Sequence, residues 1–174
     1  DQHLETMIYT ASTWIVPAVL AITLHEAAHG FVARWFGDDT AWRLGRVSLN
    51  PLKHVDLFGT ILLPAFLLLS SAPFLFGYAK PVPVNFAALR NPRRDMVWVA
   101  AAGPATNLLL ATAAGLMVHI VGLLPESADR WFLLNLQNAI GINVILAVFN
   151  MLPLPPLDGG RVAVGVVECH MGKP

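Results

Sequence analysis

Four long apolar stretches set the hydrophobic pattern of this chain: Met7 to Phe36, Leu57 to Gly77, Met96 to Leu124 and Trp131 to Leu152. Each is near or above the length of about 20 residues that a helix needs to cross a bilayer. Between the first two, Trp42 to Asn50 is mixed and partly alternating, with Val47 and Leu49 on one face, so a short strand near the interface is expected. Lys80 to Val84 cannot be helical, because Pro81 and Pro83 alternate with other residues; an extended edge or polyproline-like segment is expected there.

The second stretch differs from the others, because Pro64 and Pro73 divide it. Arg34, Arg43, Arg46 and Lys53 precede it and Lys80, Arg90, Arg93 and Arg94 follow it. A true crossing would therefore split these basic residues between two compartments, against the positive-inside rule. If Leu57 to Gly77 dips in and returns, all of them share the cytosolic side with Arg161 and Lys173, and only Arg130 is left opposite. Re-entry also makes the first and last long helices parallel. Trp35, Trp42 and Trp98 then fall near the basic face, and Trp14 and Trp131 near the other, as interfacial anchors.

Composition supports a membrane protein. The 174 residues are 56% hydrophobic and only 13% charged, with a mean hydropathy of +0.61, which is too apolar for an ordinary soluble domain. A formal net charge of zero and the lack of a basic run give no sign of nucleic-acid binding. The single cysteine, Cys169, excludes an internal disulfide. The first apolar segment exceeds a signal-peptide core and is expected to be retained. The pattern predicts an all-α polytopic membrane protein. It would be a bundle of transmembrane helices with re-entrant and short extended segments, forming one integral membrane domain over residues 1–174.

The candidate chemistry lies inside the first stretch, at His25-Glu26-Ala27-Ala28-His29. Histidines four residues apart on a helix project from nearly one face and can hold one Zn2+, with Glu26 beside them as a general base. Ionisable groups are costly in lipid unless they face protein or a wet cavity, so this cluster is a candidate functional site by its setting. Catalytic zinc takes three protein ligands and keeps a position for water. The best third donor is Asp158, in Asn150-Met-Leu-Pro153-Leu-Pro155-Pro156-Leu157-Asp158-Gly159-Gly160. The three prolines break the preceding helix, and Gly159 and Gly160 allow a tight turn. His54 and Asp56 could also ligate metal, but read more simply as an interfacial polar pair.

Together with Gly103-Pro104-Ala105-Thr106-Asn107, these motifs resemble the site-2 proteases, a family of intramembrane zinc metalloproteases. Gly77 to Asn85, followed by Asn91-Pro-Arg-Arg-Asp95, is similar to the compact branch that lacks appended regulatory domains. The resemblance implies a multi-pass protein of a prokaryotic cell membrane that cuts a transmembrane segment of a substrate protein, and the parallel first and last helices, which bring His29 and Asp158 to the basic face, set the site near the cytosolic side. It also tilts Asn107 and Asn150, uncharged polar groups in apolar helices, toward orienting water or stabilising an oxyanion rather than only bonding between helices. A helical substrate must unwind to expose its carbonyl, and Lys80, Pro81, Val82, Pro83, Val84 and Asn85 are candidates to capture the unwound chain by strand addition. A membrane metal-ion carrier could use the same His and Asp ligands, but transport needs no base and favours polar groups continuing across the bilayer.

Overall fold

The computed structural model describes residues 2–71 and 77–172, and the described residues form helices and turns with no strand. Six α-helices follow one another: α1 (Gln2–Trp35), α2 (Thr40–Arg43), α3 (Leu63–Leu69), α4 (Pro92–Val118), α5 (Glu126–Asn150) and α6 (Asp158–Met171). Helices α1, α4 and α5 are long and apolar enough to cross a membrane. No more than 28% of the most apolar window of each is buried, so most of their apolar surface faces outward, as a bilayer requires and water would penalise. Leu20, Leu109, Leu116, Ile145 and Val148 are among the exposed side chains.

Side-chain bonds fix the helix directions. Trp131 donates its indole N–H to Ser12 Oγ and the Asn138 amide donates to the Thr13 carbonyl, while further along both helices Ala21 and Asn143 meet the same Asn107 amide, so α5 runs alongside α1 in the same sense. His29 meets Val99 while His25 meets Asn107, so α4 runs the other way. α1 stops at a glycine-dependent cap. Gly37, at φ +110, donates to the Arg34 carbonyl, and Asp38 donates to that of Ala33. This pair of bonds turns the chain where a side chain would be strained. Asp38 is itself buried and accepts from Thr40 and from the Asn85 N–H, which ties residue 85 to the end of α1.

The chain between α1 and α4 begins and ends at one place, since the Arg90 N–H donates to the Phe36 carbonyl. Within it, the Tyr78 N–H donates to the Gly59 carbonyl and Thr60 Oγ1 donates to that of Tyr78. Leu57 to Gly77 therefore leaves and returns to the same point, as a re-entrant segment must. Its middle, residues 72–76 including Pro73, lies outside the described residues. A π-helical turn at Leu57–Leu62, capped by Asp56 on the Gly59 N–H, leads into α3.

Two expectations are corrected. Trp42 to Asn50 is not a strand: α2 occupies its start, Leu44 and Gly45 turn, and Leu49 is exposed while Val47 packs against Gly30. Two alternating residues were too little to outweigh a helix closed by bonds from Arg43 to Asp39 and from Leu44 to Thr40. Gly159 and Gly160 do not make a tight turn either, because they form the first turn of α6. A Cβ at Gly159 would strike the Met151 and Leu152 carbonyls, and one at Gly160 the Pro155 nitrogen and Leu154 carbonyl carbon. These glycines serve close backbone approach. Residues 77–85 lack helix, as the prolines dictate.

The α1 C-terminus and the α4 N-terminus thus share one membrane face, opposite the start of α5. In a Cys169→Ser background, Arg43→Cys and Arg94→Cys should react alike with a membrane-impermeant thiol reagent in intact cells, and Glu126→Cys should behave oppositely. Opposite behaviour of positions 43 and 94 would contradict the topology.

Candidate metal centre

His25, His29 and Asp158 converge on one point from α1 and from the N-terminus of α6. The two Nε2 atoms are 3.1 Å apart, and Asp158 Oδ2 is 3.1 Å from that of His25 and 3.2 Å from that of His29. All three side chains are buried, and among the described residues they form the one group able to offer three ligand atoms to a metal ion. Ligands about 2.0–2.1 Å from a tetrahedral zinc stand roughly 3.3 Å from each other. The triangle is therefore within a few tenths of an ångström of the required size, and its two imidazoles and carboxylate are the donor types that catalytic zinc accepts. The fit to zinc is good in geometry and in chemistry.

Helix α4 supports the imidazoles from behind. His29 Nδ1 lies 2.8 Å from the Val99 carbonyl, which can only accept, so this nitrogen carries the proton and Nε2 presents its lone pair to the centre. His25 Nδ1 lies 2.6 Å from Asn107 Oδ1. The orientation of that amide is determined as well, because Asn107 Nδ2 faces the Ala21 carbonyl at 3.2 Å and a carbonyl must meet a donor. Both histidines thus have an outer partner of the kind that fixes the tautomer of a metal ligand. Between Val99 and Asn107, Gly103 leaves room for the rings: a Cβ there would lie 2.5 Å from His29 Nε2 and 2.6 Å from His25 Nε2.

Glu26 is half-buried, and its Oε2 accepts the Val82 N–H at 2.8 Å. The extended segment is anchored beside it, since Arg46 donates to the Lys80 and Pro81 carbonyls, the Lys80 N–H to the His54 carbonyl and the Asn85 N–H to Asp38. Pro83 and Val84 complete it, both half-buried. Asn107 is fully buried, and both its amide hydrogens are committed, to Ala21 and to Asn143 Oδ1. Asn150 spends one on the Leu146 carbonyl. His54 bonds the Ser48 carbonyl and Asp56 caps its own turn, so they are not brought to the centre. Sequence reasoning passed over Asn143 and Asp38. Asn143 carries the same signal that singled out Asn107, an amide among apolar neighbours, but it is one of five amide side chains on α5. The Val99 carbonyl and the Val82 N–H are backbone groups, and no residue type announces them.

Comparison with known proteins agrees with this geometry. The chain is 40% identical over 161 residues to the candidate zinc metalloprotease YwhC of Bacillus subtilis, covering 88% of this chain and 68% of YwhC. The chain belongs to peptidase family M50, the site-2 protease family. It is thereby a metallopeptidase. The family's own profile matches residues 114–174, a span that contains Asp158 but not His25 or His29. Similarity extends to the candidate zinc metalloproteases Rip2 of Mycolicibacterium smegmatis, at 29% identity over 97% of this chain and 60% of Rip2, and MJ0611 of Methanocaldococcus jannaschii, at 32% over 79% and 62%. The chain spans between about half and two thirds of the length of the curated relatives it matches. No solved structure matches it.

Gly103→Ala should lower zinc occupancy at least tenfold, by pressing a methyl group into the space of both imidazoles. Gly115→Ala, where a Cβ meets nothing within 4 Å, should leave it unchanged. Metal analysis of the folded variants after equilibration with limiting zinc checks both. Equal occupancy in the two would remove Gly103 from the account.

Proposed function

We propose that this chain is the core of an intramembrane zinc endopeptidase that cleaves a transmembrane segment of another membrane protein. The observation that carries this reading is the convergence of His25, His29 and Asp158 beside Glu26, inside helices whose outer surfaces are apolar. Zinc held by the three ligands would lower the pKa of water to about 7 and polarise the scissile carbonyl. Glu26 takes the proton from water and passes it to the leaving amine. Its carboxylate needs a fixed direction for this, and the Val82 N–H supplies one.

The substrate helix unwinds locally, because its peptide groups are otherwise spent on their own hydrogen bonds. Residues 80–85 receive it. Their attachments to Glu26, Arg46 and Asp38 hold an extended backbone next to the base; with the N–H groups of Lys80, Val82 and Asn85 already bonded, strand addition relies on the segment's carbonyls as acceptors and on the Val84 N–H as donor. Asn107 spends both amide hydrogens within the bundle and Asn150 spends one on its own helix, so of the two it is Asn150 that keeps a donor for a developing oxyanion. The basic residues around α2 and the start of α4 support a site near the cytosolic side, bacterial and archaeal relatives support a prokaryotic cell membrane, and the chemistry suits regulated intramembrane proteolysis.

Purified protein incubated with single-span membrane proteins should yield fragments whose termini map inside the transmembrane segment, and a zinc chelator should abolish them. Cuts confined to soluble regions, or cuts indifferent to the chelator, would contradict the reading. Glu26→Gln should retain zinc and cleave about 10²–10⁴-fold more slowly, since an amide accepts no proton. Wild-type cleavage at equal occupancy would exclude Glu26 as the base.

A further inference from the structure

Behind the metal centre a chain of amides crosses the bundle. Asn143 on α5 is buried (2% exposed) and Asn107 on α4 is fully buried (0%). Asn143 Nδ2 donates to the Ala139 carbonyl at 2.8 Å, and its Oδ1 accepts from Asn107 Nδ2 at 2.8 Å. Asn107 Oδ1 in turn faces His25 Nδ1 at 2.6 Å. An amide can be reversed end for end, and a reversed Asn107 would present N–H groups to His25. That would favour the tautomer whose proton sits on Nε2, where the lone pair for the metal must be. Two backbone carbonyls prevent the reversal, Ala21 on α1 and Ala139 on α5, because each accepts only donors. Asn143 relays the second of these constraints from α5 to Asn107.

We propose that Asn143 is a positioning residue for His25: it holds the Asn107 amide in the one orientation that keeps the His25 proton on Nδ1 and leaves Nε2 free for the metal. The relay acts on metal binding before any substrate is present. It rests on the assignment of His25 as a ligand. Asn138 provides an internal control, since it bonds α5 to α1 through the Thr13 carbonyl in the same manner yet leads to no ligand.

The test uses the purified full chain with zinc alone. Affinity is measured by competition with a chromophoric chelator, and the His25 tautomer by 15N NMR of histidine-labelled protein before zinc is added, the His25 signal being assigned by its loss in His25→Ala. An outer partner of a metal ligand is typically worth 10–100-fold in affinity. Asn107→Leu should fall within that range, and Asn143→Leu should weaken zinc binding by roughly 3–10-fold, one step further from the metal. The Asn143 variant should also shift His25 toward a mixture of tautomers. The double variant should lose no more than Asn107→Leu alone, and Asn138→Leu should match the wild type within about twofold. Asn143→Asp should restore binding, because a neutral carboxylic acid reproduces both the acceptor for Asn107 and the donor to Ala139. Asn143→Ala carries the same expectations if the leucine variant does not fold. Unchanged affinity and an unchanged His25 signal in the Asn143 variants would overturn the proposal, as would equal losses at Asn138 or losses at 107 and 143 that multiply. Wild-type affinity in His25→Ala would instead remove the ligand assignment itself.

Discussion

The structure depends on how closely α4 approaches α1 at Gly103. Val99, Gly103 and Asn107 lie four residues apart and form one stripe of α4, opposite His29 and His25 on the antiparallel α1. The stripe presents a carbonyl, a gap and an amide in turn. A bulkier residue at the gap would push the rings away from both acceptors, and buried imidazoles without partners are expensive in an apolar interior. The same approach aims both Nε2 atoms at the point that Asp158 reaches from the other side. Close packing and metal geometry are thus one requirement.

A second consequence concerns how a membrane protein hides polar groups. The two apolar clusters, around Val99 and Leu89 at one end and around Leu136 and Val121 at the other, flank the centre. Between them the polar groups satisfy one another: His25 with Asn107, Asn107 with Asn143, Glu26 with the Val82 N–H. The irregular backbone is placed likewise. Residues 80–85 are bonded to Arg46, His54 and Asp38 rather than left to lipid, which is the condition under which non-helical chain is tolerated at membrane depth.

The long spans were legible in the sequence because a run of apolar residues is a strong, local signal. The convergent group His25, His29 and Asp158 was legible because two histidines four apart are rare in an apolar run, and a carboxylate beyond a proline-broken helix supplies the third donor their spacing calls for. Helix α6 was not: its two initial glycines, a third at Gly165 and a valine-rich middle argue against a helix. Packing prevails over propensity there, with Gly165 set against Val97 and the Arg93 carbonyl of α4. The strand expected at Trp42 to Asn50 failed for the opposite reason, since a weak alternation met a local helical turn. What the sequence could not reveal at the site is mostly backbone: the carbonyls of Val99, Ala21 and Ala139 orient the side chains, and any residue type could supply them.

X-ray absorption at the zinc edge of the purified protein tests the central claim most directly. One zinc per chain is predicted, with nitrogen and oxygen neighbours at about 2.0–2.1 Å and the multiple-scattering signature of two imidazoles, reduced to one in His29→Ala. A spectrum that the histidine substitution leaves unchanged, or a shell containing sulfur, would show that the metal lies elsewhere and that the convergence of α1 and α6 is not the metal centre.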